Sequence, residues 1–257
     1  MMIIKHQGGI GEMRKGKLKQ ILLITDGCSN QGEDPTLVSS YINEQGITVN
    51  VIGVLDQRQS ESDSLSEVED IASAGGGVCQ IVYPQALSQT VQAVTRQAMT
   101  QTLQSVVNQE LQQILGKQET IEDLSPDQRG EVLEVVEDLT ETSDLQLLVL
   151  VDTSASMQKK LPTVKEALID LSISMNSRIG DNQFSVYTFP GKRKSINKVL
   201  DWSANLNKLE AIFPKLTSGG MTPTGPALKE ALYAFSQTGL LRSLRRDVKS
   251  EEVDFGI

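Results

Sequence analysis

The sequence predicts an α/β domain: one mostly parallel, six-stranded sheet with helices on both faces, a three-layer sandwich. Three observations carry that expectation. Short apolar runs alternate with helical patterns along the chain, the signature of strand–helix–strand units. Neither half offers more than three strands, and a three-stranded parallel sheet would leave two open edges, so the halves are expected to share one sheet. Two of the strands end in an aspartate followed by small polar residues, as strands do where an open sheet binds a ligand.

Gln20–Thr25 is an apolar run ending in Asp26-Gly27 and reads as a buried strand. Pro35 suits the first turn of a helix over Thr36–Glu44, stopped near Gly46. Thr48–Leu55 is the next strand, and Ser64–Ala74 a helix ended by three glycines. Val78–Tyr83 is the third strand. Pro84 opens a long helix to about Leu115, with apolar residues at Leu87, Val91, Val94, Ala98, Leu103, Val106, Val107, Leu111 and Leu115. Lys117–Asp144 is acidic and reads as a linker, in which Ser125-Pro126-Asp127 caps a short helix ending near Leu139. The second half opens with strand Leu145–Val151, running into Asp152. A helix over Leu161–Met175, strands Phe184–Phe189 and Ile196–Leu200, and a helix over Asn205–Phe213 follow. Beyond Gly219-Gly220 a last helix runs from Pro223 to Phe235. Residues 1–18 form a basic arm and 238–257 a polar tail, both expected to be loosely held.

Composition removes several function classes. The net charge of −9 opposes binding to nucleic acid or anionic lipid. No apolar run is long enough to span a bilayer, and the first residues carry no secretory core, so a cytoplasmic protein is expected. Cys28, Cys79 and His6 are too few for a structural zinc site or a serine triad, and the cysteines read as reduced thiols.

Three short motifs are left to carry chemistry. Asp152, Ser154 and Ser156 alternate in DTSAS, and an extended loop would aim all three side chains one way. One carboxylate and two hydroxyls are hard oxygen donors, suited to Mg²⁺ rather than to a soft metal. GGMTPTG, Gly219–Gly225, sets Thr222 just before a helix that starts at Pro223. Asp26-Gly27 ends the first strand. Each motif has a bland reading as well: a capping turn, a Thr N-cap, an Asp-Gly turn.

Together the Asp of LLITDG, DTSAS and the Thr of GGMTPTG resemble the three parts of the metal-ion-dependent adhesion site of von Willebrand factor type A (vWA) domains. GDNQFSVYTF resembles that family's second strand, and ASAGGGVCQIV its last strand region. The resemblance implies a Rossmann-like sandwich with Asp152, Ser154, Ser156, Thr222 and Asp26 as metal ligands. It also implies Mg²⁺ as the ion, with Mn²⁺ or Ca²⁺ as substitutes, and a partner protein whose Asp or Glu takes the open position. Family members run DxSxS, then Thr, then Asp. Here the Asp segment comes first, which implies a circular permutation: Lys19–Gly116 is the family's C-terminal half and Leu145–Gln237 its N-terminal half. The order resembles that of a YabS-like group of stand-alone bacterial members. The linker is long enough to close within one molecule, giving a monomer. Exchange of halves between two chains, or pairing through the long helix, would give a dimer.

Two other classes compete with this non-catalytic binding module. The helix over residues 86–116 offers a surface for a structural, self-associating protein. Ser156-Met157-Gln158-Lys159 matches the S-x-x-K of serine acyl enzymes, with Gly180-Asp181-Asn182 and Gln237-Thr238-Gly239 as near misses to the other two motifs. GEMRKGK, Gly11–Lys17, imitates a phosphate loop but leads into a strand rather than a helix.

Overall fold

A computed structural model describes residues 17–27, 29–55, 62–115, 120–192, 194–216 and 219–235. Strands β1 (Lys17–Thr25), β2 (Thr48–Val54) and β3 (Gly76–Val82) come from the first half of the chain. The second half adds β4 (Asp144–Asp152), β5 (Asn182–Phe189) and β6 (Asn197–Ser203). They form one six-stranded sheet in the order β3-β2-β1-β4-β5-β6. All pairings are parallel except β5 with β6, which is antiparallel. The seam between the halves is β1 against β4, in continuous register from Lys17 beside Asp144 to Ile24 beside Val151.

Residues that alternate along the central strands feed two apolar layers. Leu22, Ile24, Leu147, Val149 and Val151 face one side, where α3 (Leu87–Leu115), α4 (Pro126–Thr142), α5 (Leu161–Met175) and α6 (Leu209–Ile212) contribute. Ile21, Leu23, Leu148 and Leu150 face the other. There α1 (Pro35–Glu44), α2 (Ser62–Ala74) and a last helix, α7, over residues 224–235 cover the sheet. Ile21 to Ile24 and Leu147 to Val151 have no exposed surface at all. Burial on both faces explains why these strands read as continuous apolar runs instead of alternating ones. Each such side chain contributes about 1.5–3 kcal/mol of transfer free energy.

Several elements depart from the sequence expectation, each for a local reason. β1 begins three residues before Gln20, because Lys17 and Leu18 find pairing partners in β4. The glycines after α2 do not merely stop the helix; Gly76 and Gly77 belong to β3. A β-carbon on Gly77 would stand 2.1 Å from the Val49 carbonyl oxygen, so the strand can approach β2 only without a side chain there. The helix expected over Asn205–Phe213 shrinks to Leu209–Ile212. The amides of Asn205 and Leu206 donate to the hydroxyls of Ser203 and Ser172, which holds that segment as a turn.

The acidic linker is more than a connector. α4 runs to Thr142, and Ser125 stands at its N-cap, though its hydroxyl donates to Gln128 Oε1 instead of accepting a backbone amide. Val136 is 1% exposed, in the same apolar layer as α3 and the sheet. Ile121 donates its amide to Asn108 Oδ1, and Arg96 pairs with Glu141 at 2.7 Å. Arg178, with burial lowering its pKa, gives its guanidinium to the carbonyls of Thr140 and Ser143 and so fixes the turn from α4 into β4. The stripe Leu87, Val91, Val94, Ala98 and Leu103 of α3 is buried in this layer, inside the molecule. Among the described residues no helix is long and apolar enough to cross a membrane. His6, Cys28, most of the basic arm and the tail lie outside the described residues.

Candidate metal centre

From β1 the chain turns toward β2, and from β4 toward β5, so their C-terminal ends diverge and leave a crevice between them. That divergence is the switch point at which open α/β sheets bind ligands. Just past the last registered pair, Ile24 beside Val151, the Thr25 hydroxyl donates to Asp152 Oδ2 at 2.8 Å. Asp152 Oδ1 accepts the Ser154 amide at 2.7 Å, and the carboxylate has no solvent exposure. Burial pushes Asp152 up to about 6, with nearby Asp26 adding to the rise; hydrogen bonds from Ser154 and Thr25 oppose it.

DTSAS does not remain extended, as the alternate spacing suggested. A 3₁₀ turn begins at Ala155, with Met157 buried beneath it. The turn swings Ser156 back, so its hydroxyl lies 3.1 Å from that of Ser154 and donates to Asp26 Oδ1 at 2.8 Å. Asp26, Asp152, Ser154 and Ser156 are thus brought together from opposite halves of the chain. Thr222 is tied by its backbone to the loop that follows Asp26, while none of its hydrogen bonds runs to Asp26, Asp152, Ser154 or Ser156. Its amide donates to Asn30 Oδ1 at 2.8 Å, and its carbonyl accepts from the Asn30 amide. The Gly219 amide donates to the Thr153 carbonyl, which ties GGMTPTG to DTSAS. Gly220 follows at φ 95°, a left-handed conformation that favours glycine. From α2, both oxygens of Glu67 accept the Ser29 amide and hold the loop after Asp26.

Lys160 has no counterpart in the sequence expectation. Its ammonium donates to Asp26 Oδ2 at 2.7 Å and to the Val54 carbonyl at 2.9 Å, with the lysine side chain 6% and the aspartate side chain 1% exposed. Lys159 and Lys160 look alike in sequence, yet only Lys160 falls in helical phase with the buried Val164 and Leu168. A lysine on an apolar stripe was the available signal. Thr25 left none, because a buried strand threonine is unremarkable.

The donor set suits a small hard cation. Adjacent ligands about an ion with oxygens at roughly 2.1 Å stand about 3 Å apart, close to both hydroxyl and carboxylate spacings in the crevice. Among the described residues no three His, Cys, Asp or Glu side chains cluster, so any ion there must rely on the hydroxyls. The acyl-enzyme arrangement does not form. Lys159 is exposed, and Asn182 starts β5 level with Leu145, a strand length of about 23 Å from the end of β4.

Two family models described as von Willebrand factor type A domain match the chain, one over residues 147–248 and the other over residues 2–97. An uncharacterized protein, YabS, of Bacillus subtilis is 58% identical over 95% of this chain and 100% of its own length. The crystal structure of an uncharacterized protein from Alicyclobacillus acidocaldarius is 43% identical, with a TM-score of 0.78 over 90% of this chain and 97% of that one. Proximal thread matrix protein 1 of the mussel byssus, solved with a zinc-occupied MIDAS motif, reaches 19% identity and a TM-score of 0.29 over 88% of this chain and 47% of its own, too low to bear on this site.

Proposed function

Because the chain belongs to the von Willebrand factor type A family, we propose that its crevice is a metal-ion-dependent adhesion site that grips a carboxylate of a partner protein through Mg²⁺. The observation that carries this reading is the meeting of Ser154, Ser156 and Asp26, with the Ser156 hydroxyl 2.8 Å from a carboxylate 130 positions away. Asp152, Ser154, Ser156, Thr222 and Asp26 would hold the ion. When bound, it supplies an electrophilic centre for an Asp or Glu from outside. The hydroxyls contribute donors without charge, and the Lys160 ammonium already balances one of the two carboxylates, so a divalent ion there would keep a net positive charge. Thr25 and the Ser154 amide orient Asp152, and Asn30 and Gly219 hold the Thr222 loop against DTSAS.

On this reading the chain is a circular permutant: the Asp26 half, which closes the family order, precedes the DxSxS half, and α4 spans the new junction. It acts as a binding module rather than as an enzyme. It acts in the cytoplasm, where the unpaired Cys79 thiol stays reduced. Affinity capture from a lysate in Mg²⁺, repeated in EDTA and with Asp152→Ala and Thr222→Ala, tests the proposal. Partners should be retained in Mg²⁺ and lost in EDTA and with both variants. Retention of the same proteins under all conditions would overturn it.

A further inference from the structure

The buried ion pair beneath this site has a consequence for how the site holds its metal. Asp26 divides its two oxygens. Oδ1 accepts from Ser156, whose hydroxyl is also paired with that of Ser154, while Oδ2 accepts from Lys160, whose ammonium is also fixed by the Val54 carbonyl of β2. The ammonium thus engages the Asp26 oxygen that Ser156 leaves free. Two buried carboxylates and one ammonium leave the crevice with a formal charge of −1 before any divalent ion enters. Without Lys160 that charge would be −2, with the Asp26 carboxylate buried and unpaired, an arrangement that burial penalises.

Building on the adhesion-site reading, we infer that Lys160 is a resident counter-cation that makes the divalent ion exchangeable. It carries half of the charge compensation the carboxylates need, so the fold stands without metal and the metal binds more weakly than the bare donor set would hold it. It also keeps Oδ1 turned toward Ser156 in both states. Lys160 is a positioning residue: it acts on the ion through Asp26 and not by contact. The site is thus built for reversible loading, with one positive charge that never leaves.

The experiment compares wild type with Lys160→Met and Lys160→Arg by calorimetric titration of Mn²⁺ alone and by thermal melts in EDTA and in Mn²⁺. Lys160→Met should melt lower in EDTA, bind Mn²⁺ at least tenfold more tightly and gain more in melting temperature from Mn²⁺. Lys160→Arg, which keeps the charge, should stay near wild type in metal affinity. Asp26→Asn supplies the control for folding: in that background Lys160→Met should cost much less stability in EDTA, because the charge it balances is gone. Unchanged or weaker Mn²⁺ binding by Lys160→Met would overturn the inference, since a merely structural lysine would loosen the site. Mn²⁺ binding by Lys160→Met but not by wild type would uphold the charge balance while sinking the metal-dependent reading of the native protein. No binding to either would sink both.

Discussion

Asp152 shows how much a single side chain can state about the site. Its folded pKa of about 6 exceeds the unfolded value near 4, so the fold holds the proton more tightly than the unfolded chain does. Without metal, the penalty for ionised Asp152 is absent below about pH 4, grows up to about pH 6 and is complete above it. Asp152→Asn should therefore melt higher than wild type in EDTA at pH 8, by at most about 3 kcal/mol of stability. The gap should close on titration to pH 4 and reverse in Mg²⁺ at pH 8, where wild type alone gains from the ion. A pH-independent difference would contradict the burial argument. Cys79 titrates in the ordinary direction but late: burial, with Glu69 adding, pushes the thiol up to about 11. In a Cys28→Ser chain, alkylation by iodoacetamide should be slow at pH 8 and rise about tenfold per pH unit through pH 10. The residues with hard oxygens were legible in sequence because each stood at a strand end or before a helix. Lys160 and Thr25 were not, since their roles depend on which strand lies next to which.

At the scale of elements, the strands and long helices could be read from apolar patterning, whereas their ends were set by partners. β1 gained Lys17 and Leu18 through β4, and the expected helix over Asn205–Phe213 lost its start to two serine hydroxyls. The composition of α4 suggests an acidic connector because it hides one apolar contact row. Val136 is buried, while its neighbour Val135 is 54% exposed. Val136→Asp should destabilise the protein by about 3 kcal/mol or more, since it buries an unpaired charge; Val135→Asp should change stability by less than about 0.5 kcal/mol. Urea unfolding of the two variants separates a packed helix from a tether. Equal, small effects would return α4 to the status of a linker.

For the whole molecule, the expectation of one shared sheet came from an argument about edges rather than from any single segment. Three strands per half cannot protect themselves, and the β1–β4 seam joins them. If the permutation reading holds, the chain should tolerate being returned to the family order. Residues 120–235, a flexible linker and residues 17–115, in that sequence, should fold with a melting temperature within a few degrees of the original and with the same Mn²⁺ affinity. Failure to fold would mean that the present order is needed for more than bringing the halves together. The most direct test of the central claim is anomalous diffraction from a crystal of the protein soaked in Mn²⁺. The account predicts one strong peak about 2.2 Å from the hydroxyl oxygens of Ser154 and Ser156, on the Oδ1 side of Asp26. No peak in the crevice, or a peak bound only at surface carboxylates elsewhere, would contradict it.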